Sequence, residues 1–381
     1  MTSGSGPAAE KVPAASYRRA GANVTGRTPI LDLDGSYGEG GGQILRTALS
    51  LSTLTRRPFH LTNIRAGRPN PGLLPQHLAA LRAAATISGA EVSGDHLGST
   101  ELSFQPTHLP KFGSYTFDVA ETAERGSAGS VSLVLQTILV PLALANGAST
   151  VVLRGGTHVE WSPSFDDLVN AYFPALRRMG LRIDAELKRW GWYPVGSGEI
   201  VCEIGDRSTA KLNPIQIVDR GYLQQVAGSA VAANLPAHIP QRMANRARAS
   251  LEDLGLRANI VPQRVTAACP GAGIFLVARY ENLAASFSAY GRLGKPSEAV
   301  ADEAVAAFRE HHASGAAVEL HLADQLLAPL SFAGASSSFT TPRPTGHLNT
   351  NAWTIGQFAA ADILIEEGTP CRVSIRPHLL R

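Results

Sequence analysis

The sequence predicts an α/β protein assembled from βαβαββ units, with a smaller α/β domain inserted into the repeat. Three observations carry that reading. Apolar strand-like runs alternate with helical periodicity from Ile30 onward. The order strand, helix, strand, helix, strand, strand then occurs twice over similar lengths, so each unit has an amphipathic face to bury against its neighbours. Between about 207 and 282 the rhythm breaks, and afterwards it resumes.

The first unit opens with a strand at 30–34, where Leu31 and Leu33 alternate with Asp32 and Asp34. The strand stops at Gly35. Gly38, Gly40, Gly41 and Gly42 let the backbone approach a ligand closely. A helix at 39–55 carries Ile44, Leu45, Ala48, Leu49 and Leu51 at helical spacing. Strand, glycine turn and helix N-terminus together suit an anion, because free N–H groups and the positive dipole end point outward. Glu39 sits inside the turn, and a carboxylate placed where phosphate binds suggests a metal ion between them. Arg46 lies further along the same helix. The turn is neither a Walker A loop nor a dinucleotide fingerprint, since both the Gly-Lys-Ser/Thr and the Gly-x-Gly-x-x-Gly patterns are missing. A tight βα turn without ligand would need the same glycines.

A strand at 58–64 runs into the basic loop Ile64-Arg65-Ala66-Gly67-Arg68-Pro69. The helix at 73–88 has Gln76 and His77 near its start, and short strands at 90–93 and 101–105 close the unit. The second unit repeats the order. It has a strand at 115–119, a helix at 126–146, a strand at 150–154, a helix at 164–179 and strands near 181–186 and 199–204. Gln136 interrupts the apolar run 131–144, and an amide there is either satisfied by a backbone neighbour or aimed at a ligand. The insert, 207–282, holds a helix at 238–254 and a strand at 273–278. The repeat resumes with a helix at 298–312, a strand at 318–320 and a helix at 324–332. A strand at 337–341, a helix at 347–360 and strands at 362–366 and 371–375 finish the chain. The junction Pro344-Thr345-Gly346-His347 is read as the counterpart of the turns before the 39–55 and 126–146 helices, so that three such turns converge on one anion.

The totals bound the function. With 381 residues the chain exceeds one typical domain. A hydrophobic content of 44% with 17% charged residues fits a globular protein with a large core. The net charge of +3 argues only weakly for a polyanionic partner. The closeness of Arg46, Arg65 and Arg68 in sequence counts for more, because guanidinium grips phosphate bidentately. Cys202, Cys269 and Cys371 are widely spaced, which argues against a zinc site or a disulfide framework and fits a reducing, cytoplasmic compartment. No run of 18 apolar residues occurs, so no membrane span is expected. Residues 1–27, rich in Gly, Ala, Ser and Arg without an apolar stretch, read as a disordered leader rather than a secretory signal. Residues 28–206 and 283–381 are then the repeat domain.

His347 is the residue with the sharpest chemistry. It opens a helix directly after Gly346, with Asn349 and Asn351 nearby. The positive end of a helix disfavours imidazolium, which keeps the ring neutral and nucleophilic. Neutral imidazole attacks phosphorus and carries the group as a phosphoramidate. A histidine packed in a seam or capping its helix would occupy the same position. Further back, His321, Leu322, Ala323, Asp324 and Gln325 open the preceding helix, with Asp324 placed to cap it and Gln325 to bond a nucleotide.

Together these stretches resemble the RNA 3'-terminal phosphate cyclases. The resemblance rests on Gly38–Arg46 (GEGGGQILR), Ile64–Arg68 (IRAGR), Pro75-Gln76-His77, Ala128-Gly129-Ser130, Gly155-Gly156-Thr157, Leu212-Asn213-Pro214, Leu322–Gln325 (LADQ) and His347, and covers about residues 30–376. It implies three βαβαββ units around a pseudo-threefold with a smaller inserted domain. It also implies ATP, a divalent cation (Mg2+ or Mn2+) and an RNA with a 3'-phosphate as partners. The implied reaction runs through a histidine–AMP adduct and an RNA-adenylate to a 2',3'-cyclic phosphate. By position, His347 matches the adenylated histidine. Gln136, His321, Leu322, Ala323, Asp324 and Gln325 match the nucleotide contacts, and Glu39 the metal position. Arg46, Arg65, Arg68, Gln76 and His77 match the polar cluster around the phosphates. Three positions depart from the family pattern: His321 for Tyr, His158 for Asp or Asn, and Ser197 for Gly. Two rivals share the fold. A scaffold branch acting in ribosome assembly lacks the histidine, and enolpyruvyl transferases have no use for one.

Overall fold

The computed structural model describes residues 29–122, 128–206 and 211–378; the leader expected at 1–27 lies outside them. The first unit consists of β1 (Leu31–Asp34), α1 (Gln43–Thr55), β2 (Phe59–Thr62), α2 (Pro75–Ser88), β3 (Glu91–Ser93) and β4 (Leu102–Gln105). The second has β5 (Ser114–Asp118), α3 (Val131–Ala143) and β6 (Ser149–Gly155). A segmented helix then leads to β7 (Ile183–Arg189) and β8 (Gly198–Ile204). That helix begins as α4 (Phe165–Asp167), widens into a π turn at Leu168–Tyr172 and ends as α5 (Phe173–Arg178). Pro174 lacks the N–H that would continue the ordinary ladder, which accounts for the widening.

The third unit is cut in two. Its first strand, β9 (Gln216–Ile217), precedes the insert, which runs through β10 (Leu223–Ala233), α6 (His238–Glu252), β11 (Ala258–Val265), β12 (Gly271–Tyr280), β13 (Ala284–Tyr290) and α7 (Ser297–Ser314). The unit then continues with α8 (Leu320–Leu330), β14 (Ser337–Thr341), α9 (Gly346–Gln357), β15 (Ala361–Glu366) and β16 (Cys371–Pro377). The three sheets run β1-β2-β4-β3, β5-β6-β8-β7 and β9-β14-β16-β15. In each, the first two strands are parallel across a helix and the last two are added antiparallel. This is the expected βαβαββ unit, three times over.

The helices of the three units share one apolar core that includes Ile44, Leu49, Ile138, Leu142, Phe173, Leu326 and Ile355. At its centre α1 packs on α2, α3 and α9, and α8 packs on α9. A separate core lies under the insert, with Met243, Ile274, Phe287 and Phe308. A seam of stacked rings joins the two: His158 lies 4.3 Å from Trp190 and 5.4 Å from Trp192, with Phe275 of the insert against it. Among the described residues no helix is long and apolar enough to cross a membrane.

Four expectations are corrected. The insert does not end at 282, because β13 pairs with β12 and α7 covers that sheet. The strand expected at 318–320 is the entry to α8, and the strand it was meant to supply is β9, on the far side of the insert. Asp324 does not cap α8. Glu319 does, accepting from the N–H groups of His321 and Leu322, and Asp324 lies a turn inside. Finally, the junction before His347 leads into the second helix of its unit, α9, whereas the glycine turn leads into the first helix, α1. Its counterparts are the 63–74 and 156–164 loops.

Candidate active site

The glycine turn and α9 meet face to face. Tyr37 stacks on Trp353 with ring centroids 4.1 Å apart, fixing the turn against the helix. Thr345 caps α9 by accepting from Leu348 N at 3.0 Å, which places His347 in the first helical turn. His347 Nε2 lies 3.2 Å from Glu39 Oε2, and Arg68 Nη2 reaches the same oxygen at 3.6 Å. Gly346 leaves room for the Glu39 carboxylate beside His347, since a Cβ at 346 would overlap it. His347 Nδ1 is buried and has no hydrogen-bond partner among the described residues, while the side chain as a whole is half-exposed with Nε2 toward Glu39. Burial pushes the His347 imidazolium below its ordinary range. Glu39 opposes that shift, and Arg46, His321 and Arg68 add to it. The net shift favours the neutral ring.

α1 brings the second set of groups. Gly42 at its N-terminus has no side-chain cap. The buried His77 ring presses Nε2 against it so closely that a Cβ at 42 would overlap the nitrogen. His77 Nδ1 accepts from Leu74 N at 3.2 Å, so the ring proton sits on Nε2. Burial, then Arg46 and Arg65, keep it far below the usual imidazole value. Arg46 is lowered to about 10 by burial, with Asp324 opposing, and it bonds Gln43. Gln43 in turn donates to Asn351 Oδ1 at 3.0 Å, and Thr47 donates to the same oxygen at 2.6 Å. Asn351 Nδ2 donates to the backbone oxygen of Asp324 at 3.1 Å. One side chain thus ties α9 to α1 and α8. Burial lifts the Asp324 carboxyl to about 7, against the pull of His321 and Arg46.

His347 thus senses Glu39, Arg46, His321 and Arg68, and Asp324 senses His321, Arg46 and Glu39. Gln136 presents a buried Nε2 without a partner among the described residues, an amide still to be satisfied. Other expected residues do different things. Leu322 and Ala323 are core side chains. Gln76 Oε1 accepts from Ser130 N at 3.1 Å and joins α2 to α3. Arg65 is largely buried and donates to the carbonyl oxygens of Asn70 and Gly72, holding the 65–72 loop together. Gln325 is half-buried. Sequence reasoning missed Gln43 and Glu319; starting α8 at 324 hid the residue that caps it.

The sequence model of the family described as RNA 3'-terminal phosphate cyclase matches residues 37–365. The chain belongs to this family. It is 53% identical over 345 residues to the RNA 3'-terminal phosphate cyclase of Methylococcus capsulatus, covering 89% of this chain and 95% of the relative. It is 49% identical over 334 residues to that of Gloeothece citriformis, covering 88% and 95%. It is 41% identical over 339 residues to that of Salmonella agona, covering 89% and 94%. The solved enolpyruvyl transferase NikO from Streptomyces tendae aligns with 47% of this chain and 33% of its own, at 14% identity and a TM-score of 0.25, a likeness that carries no argument.

Two departures from the cyclase family pattern have a structural account. Ser197 takes the left-handed conformation, φ 56°, that a glycine would adopt freely. His158 is buried in the ring seam, with Nε2 2.9 Å from Asp166 Oδ2 and Nδ1 2.8 Å from Thr157 Oγ1. The third, His321, forms an ion pair with Glu319 at 2.8 Å.

Proposed function

We propose that this protein is an ATP-dependent cyclase that converts an RNA 3'-terminal phosphate to a 2',3'-cyclic phosphate, with His347 as the nucleophile. The observation that carries the reading is the half-exposed His347 ring at a helix N-terminus, with Nε2 facing Glu39 across the glycine turn. In the first step Nε2 forms a bond to the α-phosphorus of ATP, and the bond from that phosphorus to the β-phosphate bridging oxygen breaks, releasing pyrophosphate. Attack requires the Nε2 lone pair, so the ring proton resides on Nδ1 as the bond forms. In the second step a 3'-phosphate oxygen of the RNA displaces His347 from the adenylate. In the third the neighbouring 2'-OH attacks the activated phosphorus, gives up its proton, closes the ring and expels AMP. Adenylation supplies the leaving group that a bare phosphate monoester lacks.

Arg68 and Arg46 line the approach and offset the charge of the phosphates. Among the described residues no three acidic, His or Cys side chains gather around one point. Glu39 is an accessible single carboxylate, which fits Mg2+ or Mn2+ held jointly by protein and nucleotide phosphates. When bound, such an ion would neutralise the triphosphate. Asp324, Gln325, His321 and the unsatisfied Gln136 amide are the groups proposed to hold the nucleotide. The buried, unpaired cysteines favour a cytoplasmic setting.

The test is an RNA with a labelled 3'-phosphate, incubated with ATP and Mg2+. The reading expects the label to become phosphatase-resistant with AMP and pyrophosphate released in equal amounts. Label that stays phosphatase-sensitive contradicts it.

A further inference from the structure

Glu319 does more than cap a helix. A cap needs one oxygen, and Ser, Thr, Asp or Asn ordinarily supplies it. Glu319 uses both of its own. Oε2 accepts from the backbone N–H of His321 at 2.8 Å and of Leu322 at 3.1 Å, while Oε1 accepts from His321 Nδ1 at 2.8 Å. The carboxylate is 11% exposed and the ring it holds is 80% exposed. A buried anion therefore sits behind an imidazole that stands out toward solvent, at the start of the proposed nucleotide helix.

The surrounding charges act in one direction. Glu319 raises His321 to about 9, and Asp324 and Asp167 reinforce it. Burial pushes the Glu319 carboxyl up, but His321 and the Leu322 N–H outweigh it and hold the group below its ordinary value. His311, facing Glu319 from α7, is pushed by burial down to about 4, so it does not compete as a cation at neutral pH. His347 also senses the charge on His321. With both nitrogens protonated the ring is donor-only: Nδ1–H is spent on Glu319 and Nε2–H remains.

We propose that Glu319 is a positioning residue for nucleotide binding, which orients the His321 ring and keeps it a cation so that ATP meets a fixed positive charge. The neutral ring of a Tyr, as the family pattern has here, would need no such partner. The inference rests on the proposed ATP site. Its sign with pH follows from His321: the charged ring is fully present below its ordinary value and lost as pH rises through about 9.

The experiment measures half-saturating ATP for covalent AMP labelling, in the unmodified protein, Glu319→Gln, His321→Tyr and the double variant. Gln keeps an oxygen to cap α8. Glu319→Gln is expected to raise half-saturating ATP about tenfold with the maximal rate changed less than about threefold. It should also move the alkaline loss of ATP affinity from near pH 9 toward the ordinary histidine value. In the His321→Tyr background the same change should have little effect. An equal effect in both backgrounds, or none in either, overturns the proposal. The His321 ring in the unmodified protein, followed by NMR, should titrate near pH 9, and a midpoint near 6.5 overturns the proposal even if Glu319→Gln does not fold. No labelling of the unmodified protein would instead refute the proposed function, and the NMR midpoint would still decide the pairing.

Discussion

Arg65 and Arg68 lie three residues apart and have different roles. Both read from the sequence as phosphate ligands. The backbone carbonyls of Asn70 and Gly72 take Arg65, while Arg68 stands half-exposed beside Glu39. Arg65→Ala leaves buried acceptors unpaired and is expected to cost about 1–3 kcal/mol of stability. Arg68→Ala should leave the melting temperature nearly unchanged and slow adenylation, and paired calorimetry and labelling separate the two. Asp324 poses a different trade. Its folded pKa of about 7 lies above the ordinary 3.8, so the native state holds its proton more tightly than the unfolded chain. Stability should therefore fall as pH rises from about 4 to about 7. Asp324→Asn should flatten that fall and melt higher than the unmodified protein at pH 8, while impairing ATP use. A variant that melts lower at pH 8 would contradict the assignment. At this scale the structure brings His347, Glu39 and Arg46 near one another, as motif and position predict. The role of Arg65 was not legible, because a side chain's choice between a loop carbonyl and a ligand leaves no mark in the sequence.

The helices and most strands of the repeat were legible from periodicity, and the repeated order from their succession, but of the insert's four strands only β12 was read, and the longest, β10, was not. The failures have physical causes. β9 is only two residues long, and it pairs with β14 across more than 120 positions of chain, with no local pattern to announce it. Val318 and Leu320 alternate as a strand would, yet Val318 donates to Thr340 O and Glu319 folds back to cap α8. Capping chemistry overrode strand propensity. The turn before α9 offers a test of how the elements meet. Ala at 346 suits the first position of a helix, but its Cβ would displace the flexible end of Glu39 from His347. Gly346→Ala is thus expected to change stability by less than about 0.5 kcal/mol and to slow AMP transfer by about tenfold or more. Loss of fold with intact specific activity would show that the glycine serves the backbone alone.

Across the whole molecule, the chain leaves and re-enters the third unit at one hydroxyl. Thr340 Oγ1 donates to Val218 O at 2.9 Å and accepts from Ala317 N at 3.0 Å. The inserted layer hangs from that point, from Arg220 bonded to the carbonyl oxygens of His311 and His312, and from the ring seam. An insert attached through adjacent chain ends disturbs its host little, which explains why the three sheets keep one strand order. Thr340→Val should cost about 1–3 kcal/mol and speed amide exchange at Ala317, while the β14–β16 ladder stays protected. The central claim is that the three units converge to present one neutral imidazole to a nucleotide. It is tested most directly by incubating the protein with α-labelled ATP and Mg2+ and mapping the adduct by peptide mass spectrometry. The account predicts one AMP per chain on His347, acid-labile, base-stable and absent from His347→Ala. An unlabelled protein, or label that persists in that variant, would contradict it.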